Sequence, residues 1–146
     1  MKIVFSSMAP TACREELENL LFFNPRQHKV REGIRDSLSQ FGHPRVVESK
    51  TGLSVRIGDL EAQTLFAFDT DRDSEAPVGA VVFLRTSPEE VTILHVAVED
   101  EYGLQGSRSG VGLGIALVEQ VKEIAARIVG VKRLLFFYRH QVVMRL

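Results

Sequence analysis

Ser109, Gly110, Val111, Gly112, Leu113, Gly114 and Ile115 form the stretch of this chain whose residue types and spacing best suit chemistry. Three glycines stand at alternate positions between a strand-like run at 91–98 and a helix-like run that ends near 129. Without a Cβ, such a loop can turn successive backbone N–H groups toward one point. The helix that follows adds unpaired N–H groups and a positive dipole end at that point. Together they make an anion site suited to phosphate. His95, midway along the strand before the loop, has the ring chemistry of a base, and equally the profile of a packed core histidine.

Other phosphate and metal motifs fit less well. A dinucleotide fingerprint needs G-x-G-x-x-G/A, but the third place holds Ile115 or Leu117, depending on which pair of glycines is taken first. The P-loop fails because no Gly-Lys-Ser/Thr follows. Asp69, Asp71 and Asp73 alternate like the opening of a calcium loop. Its sixth and twelfth places hold Ser74 and Ala80 rather than Gly and Glu, so a solvated hairpin tip is the better reading. His28, His43, His95 and His140 show no metal-ligand spacing, and no metal site is expected.

The elements that must position the loop follow from periodicity. A short strand at 2–5 is followed by a helix opening at Pro10 and Thr11, with Leu17, Leu20 and Leu21 on one face, stopped by Asn24 and Pro25. A second helix is expected at 26–41. Strands are expected near 53–57, 64–68, 78–85 and 91–98, joined by short polar turns as antiparallel hairpins require. A third helix spans about 112–129, with Leu113, Leu117, Val121, Ile124 and Ile128 at helical spacing, and 131–138 forms a last strand. The result is an α/β fold with a mixed sheet, antiparallel early, closed by a C-terminal βαβ-type unit.

The chain has 146 residues, enough for a single domain over 1–146 with a real core. Its 18 basic and 19 acidic residues give a net charge of −1, so no basic excess points to nucleic acid or an anionic membrane. The single cysteine, Cys13, forms no internal disulfide and reads as buried filler of a cytoplasmic protein. The longest apolar run, 78–84, is broken by Gly79 and far too short to span a bilayer.

The run Val91-Thr92-Ile93-Leu94-His95-Val96-Ala97-Val98, the step Glu101-Tyr102 and the stretch Ser109 to Val118 together resemble the GNAT superfamily of acyl-CoA N-acyltransferases. The family's fourth strand ends in an x-A-V triplet. Its pyrophosphate loop reads Q/R-x-x-G-x-G/A, with Gly112 and Gly114 in the glycine places, and its helix continues as Ile115 to Val118 do. Leu134, Phe136, His140, Val143 and Leu146 fall on the spacing of the strand and segment beyond. Three departures stand out. Ser109 takes the Q/R place, with Arg108 beside it. Thr92 takes the place where some members carry a glutamate base. Only eight residues follow Tyr138, so the family's last two strands are expected to be missing.

The resemblance implies transfer of an acetyl group from acetyl-CoA to a primary amine of a small molecule or peptide. A non-catalytic acyl-CoA-binding module is the alternative. Backbone groups of Val96, Ala97 and Val98 would bind the pantetheine arm. Arg108, Ser109, Gly110, Val111, Gly112, Leu113, Gly114, Ile115 and His140 would bind the rest of the cofactor. The base would come from His95, Glu99 or Glu90, and Tyr138 or Tyr102 would protonate the leaving thiolate. The apolar strand 131–138 is expected to present an open edge and to drive a homodimer.

Overall fold

The computed structural model describes residues 2–22, 44–57, 60–102, 112–138 and 140–146. Eight strands occur among them: β1 (Ile3–Ser6), β2 (Pro44–Ser49), β3 (Gly52–Ile57), β4 (Leu60–Asp69), β5 (Gly79–Ser87), β6 (Glu90–Val98), β7 (Arg133–Tyr138) and β8 (His140–Arg145). Two α-helices accompany them, α1 (Arg14–Phe22) and α2 (Leu113–Ala126). The expected helix at 26–41 lies outside the described residues.

The sheet runs β2-β3-β4-β5-β6-β7-β8, and β1 pairs with the far half of β4. Every pairing is antiparallel except β6 with β7, which is parallel because α2 carries the chain back across the sheet between them. Antiparallel early strands and a parallel pair at the end match the mixed sheet expected from sequence. Two strands lay beyond that reading: β2, and β8 after Tyr138. A single residue, Arg139, separates β7 from β8, and the register closes at Tyr138 opposite His140. The outer edge of β7 is therefore covered from within the chain, and the open edge expected there is corrected.

The strand period of two divides the core into two layers. On one face, Leu17, Leu20 and Leu21 of α1 pack on Phe66, Ala80, Val82, Leu94 and Ala97. On the other, Leu113, Leu117, Val121 and Ala125 recur every fourth residue along α2 and pack on Val81, Phe83, Val91, Ile93 and Leu134. Fully burying one such leucine is worth about 1.5–3 kcal/mol. The close seat of α2 depends on Gly79. A Cβ there would stand 3.0 Å from Leu117 Cδ1 and 3.2 Å from Leu113 Cδ2. No helix among the described residues is long and apolar enough to cross a membrane.

Candidate functional site

The centre of the site is a break in the sheet. The parallel register of β6 with β7 runs from Glu90 opposite Arg133 to Ile93 opposite Phe136 and ends there. Beyond that point β6 stays paired with β5 as far as Val98 opposite Gly79, while β7 stays paired with β8. The cause is local. Val82 of β5 faces His95, and the next residue, Phe83, faces Ile93, so Leu94 is an extra residue in β6. A bulge of this kind bends and twists its strand, and here it turns β6 out of register with β7. Val96 and Ala97 lie on the strand beyond the break, with Val98 at its end.

The N-terminus of α2 faces the same end of β6. A Cβ built on Gly114 would stand 3.8 Å from Val98 Cγ2, which seats the first helical turn against the strand end. Gly112 caps the helix at φ 60, ψ 45, with no side-chain cap, and the first turn carries no acidic residue. Among the described residues, apart from the chain neighbours, no atom lies within 4 Å of where a Gly112 Cβ would be. The first-turn N–H groups have no helical acceptors and lie at the positive end of the helix. Leu113 is fully buried and anchors the turn, while Ile115 is 69% exposed beside it. Arg108, Ser109, Gly110 and Val111 lie outside the described residues.

His95 lies at the bulge, on the α1 face. Its Nε2 stands 2.7 Å from the carbonyl oxygen of Leu21 in the last turn of α1. A carbonyl only accepts, so Nε2 carries the proton and Nδ1 holds the free lone pair. Burial lowers the imidazole pKa below its ordinary value, and the Leu21 hydrogen bond opposes this only in part. The ring is a neutral acceptor at neutral pH. Nδ1 is buried and has no hydrogen-bond partner among the described residues.

The other candidates sit in different surroundings. Glu90 is at the opposite end of β6, 3.0 Å from Arg133, which also reaches Glu89 at 3.1 Å. That ion pair staples the start of the parallel ladder and keeps Glu90 away from the break. Glu99, just past β6, is bound by Arg72, whose guanidinium also lies 3.7 Å from Glu101 and 5.9 Å from the Tyr102 ring centroid. The buried Tyr102 hydroxyl donates to Asp69 Oδ2, and Asp69 Oδ1 accepts from the N–H groups of Lys2 and Asp71. Tyr102 is thus committed to Asp69, and Asp69 is an interior acceptor rather than part of a solvated tip. Thr92 is buried with its hydroxyl 2.7 Å from that of Thr86. Tyr138 ends β7 and His140 opens β8, beyond the break. Cys13 is buried in the 3-10 turn before α1, and burial, with Glu16 and Glu75, raises its thiol pKa.

Sequence reading passed over the bulge and Arg72. The bulge leaves a trace in the chain: the apolar residues facing α2 stand at 91 and 93, then at 96 and 98, and this change of parity marks one extra residue. Arg72 leaves no comparable mark.

No family profile matches the sequence, and no curated protein matches it. Solved structures do. A GNAT family acetyltransferase from Elizabethkingia anophelis with acetyl-CoA bound aligns over 92% of this chain and 63% of its own, at 16% identity and a TM-score of 0.50. An acetyltransferase from Streptococcus agalactiae aligns over 92% and 71%, at 13% identity and 0.52. A GNAT family protein from Desulfovibrio desulfuricans aligns over 92% and 72%, at 17% identity and 0.51. The chain spans less than two thirds of the Elizabethkingia protein's length. The fold is that of the GNAT superfamily.

Proposed function

We propose that this chain is an N-acyltransferase that moves an acetyl group from acetyl-CoA to a primary amine of a small molecule or peptide. The observation that carries the reading is the end of the β6–β7 ladder at a bulge, opposite the uncapped N-terminus of α2. The gap offers backbone groups at Val96, Ala97 and Val98 to a pantetheine arm. N–H groups of Gly112, Leu113, Gly114 and Ile115 serve the pyrophosphate. Arg108, Ser109, Gly110 and Val111 extend that cradle, and His140 completes the cofactor contacts. The acetyl-CoA bound to the Elizabethkingia protein supports this choice of cofactor.

In the proposed reaction the neutral amine attacks the thioester carbonyl carbon. The resulting oxyanion is stabilised by backbone N–H groups at the bulge. The amine proton passes to His95 Nδ1, the C–S bond breaks, and the thiolate takes a proton from Tyr138. His95 suits the base role because it is neutral and oriented by Leu21. Glu99, held by Arg72, orders the strand end instead of moving protons, and Glu90 has no part in the step. We also propose that the protein works in the cytoplasm as a homodimer, joined through the outer edge of β8.

Acetyl transfer to a panel of amines, measured beside CoA binding by calorimetry, tests the reading. Product with saturable acetyl-CoA dependence is expected. CoA binding without transfer to any amine would leave the non-catalytic acyl-CoA-binding module, whose sequence support is Thr92 in the glutamate place. No CoA binding would overturn both. Gly112→Asp places a carboxylate at a left-handed backbone position that strains any side chain, so Gly112→Asn, with the same strain and no charge, is its control, and the Asp variant should lose CoA affinity relative to it. Unchanged affinity would remove the pyrophosphate from this helix end.

A further inference from the structure

Arg72 ties two turns together where β6 stops. It stands in the turn after β4, and its N–H donates to the Asp69 carbonyl. Its guanidinium donates to Glu99 Oε2 and lies 3.7 Å from Glu101 Oε1. Both carboxylates belong to the turn that leaves β6. Tyr102, whose ring centroid is 5.9 Å from the same guanidinium, closes that turn with its N–H on the Glu99 carbonyl. Glu99 donates its own N–H to the Val78 carbonyl, just before β5, so the strand end keeps a backbone partner without Arg72. The side chains of Arg72, Glu99 and Glu101 are 29%, 37% and 42% exposed, so solvent and salt reach all three. Ion pairs so placed contribute little to stability.

Their consequence is electrostatic and local. Glu99, Asp100 and Glu101 are three consecutive acids directly after β6. Glu99 follows Val98, about 3.8 Å along the chain, and Val98 is the residue against which Gly114 seats the first turn of α2. That turn carries no acidic residue of its own. A phosphate bound there would lie on the order of 10 Å from the strand-end acids, a range over which charges interact in dilute salt. We propose that Arg72 is a positioning residue for the cofactor site: it holds Glu99 and Glu101 in ion pairs with the β4–β5 turn and offsets their charge, so that the helix start beside them accepts an anion. The anion is the pyrophosphate of acyl-CoA, and the role therefore rests on the function proposed above.

Calorimetry of CoA binding separates charge from structure by the sign of the effect. Arg72→Gln removes the cation and leaves both acids. CoA should then bind about fourfold more weakly in about 0.01 M salt, the effect of one charge on two phosphate charges at that range, and the loss should vanish in about 1 M salt. Glu99→Gln combined with Glu101→Gln keeps amide oxygens that accept from Arg72 but removes two negative charges. This variant should bind CoA about tenfold more tightly than wild type in dilute salt. Adding both changes to R72Q should restore its affinity. A purely structural clasp predicts the opposite: weaker binding when either side of the pair is changed, at any salt concentration. Unchanged affinity in R72Q, or a loss that salt leaves in place, would overturn the proposal. If R72Q does not fold, the doubly substituted chain decides alone, and affinity equal to or below wild type would overturn it. A wild-type chain that binds no CoA would refute the acyl-CoA reading and this role with it. Wild-type binding with R72Q unaffected would refute this role alone.

Discussion

His95 concentrates the residue-scale argument. Its ring is buried at a strand bulge, is held through Nε2, and bears no charge at neutral pH. Burial depresses its folded pKa below the ordinary value of about 6.5, so the native state resists a proton that the unfolded chain accepts. The contribution to stability is therefore intact above about pH 6.5 and is lost as pH falls from there through the folded value. Denaturant unfolding at a series of pH values between 5 and 8 should show wild-type stability rising with pH across the acid half of that range. His95→Gln should flatten the rise, and an unchanged slope would place the acid sensitivity elsewhere. The same substitution should reduce kcat on the order of 100-fold, the lower end for loss of a general base, with CoA affinity preserved. Arg108→Ala should weaken CoA binding about tenfold or more, and more so at low salt, since a charge-assisted phosphate contact is worth about 1.5–3 kcal/mol. Calorimetry that finds no loss would make Arg108 a solvent-facing loop residue.

At the scale of elements, one contact sets how close α2 lies to the sheet and another pins the chain leaving β6. The seat of Leu113 and Leu117 over Gly79 is tight enough that both side chains must give by a few tenths of an ångström to admit a methyl group. Gly79→Ala should cost about 1–3 kcal/mol, as overpacking does, and should weaken CoA binding as well, because the helix N-terminus shifts with its seat. A loss of stability with unchanged CoA affinity would separate the helix from the cofactor. The second contact is the Tyr102–Asp69 bond, which ties the chain leaving β6 to the end of β4. Tyr102→Phe removes one donor from a buried carboxylate that keeps the N–H groups of Lys2 and Asp71. The loss should be about 1.5–3 kcal/mol, read from denaturant midpoints at constant m-value.

Over the whole molecule, the sheet is protected at one end by a hairpin of minimal length. β8 covers the edge of β7 along the full register from Arg133 opposite Arg145 to Tyr138 opposite His140. A chain ending at Tyr138 would expose that edge on a strand that holds the buried Leu134 and Leu135. It should aggregate at micromolar concentration in light scattering, whereas the full chain should scatter as a discrete dimer. A soluble, monomeric truncation would mean that β8 does not guard the edge.

The sequence by itself determined several of the local elements. Leu113, Leu117 and Val121 at helical spacing, preceded by alternating glycines, could specify little else than a helix that starts at the glycines. The alternation of Leu53, Val55 and Ile57 likewise required a half-buried strand. Both signals are short in range and repeat along the chain, so they survive without tertiary context. Strand β8 was not legible, because six residues directly after another strand carry no periodic signal apart from the partner they pair with. Which candidate side chains reach the break was also decided only in three dimensions. Glu90, Glu99 and Tyr102 carry chemistry equal to that of His95 as residue types, but Arg133, Arg72 and Asp69 engage them from distant parts of the chain. The extra residue at Leu94 turns His95 toward α1, where the Leu21 carbonyl fixes its tautomer. Residue type sets what a group can do, but its protonation, direction and partners depend on contacts that only the folded sheet brings together.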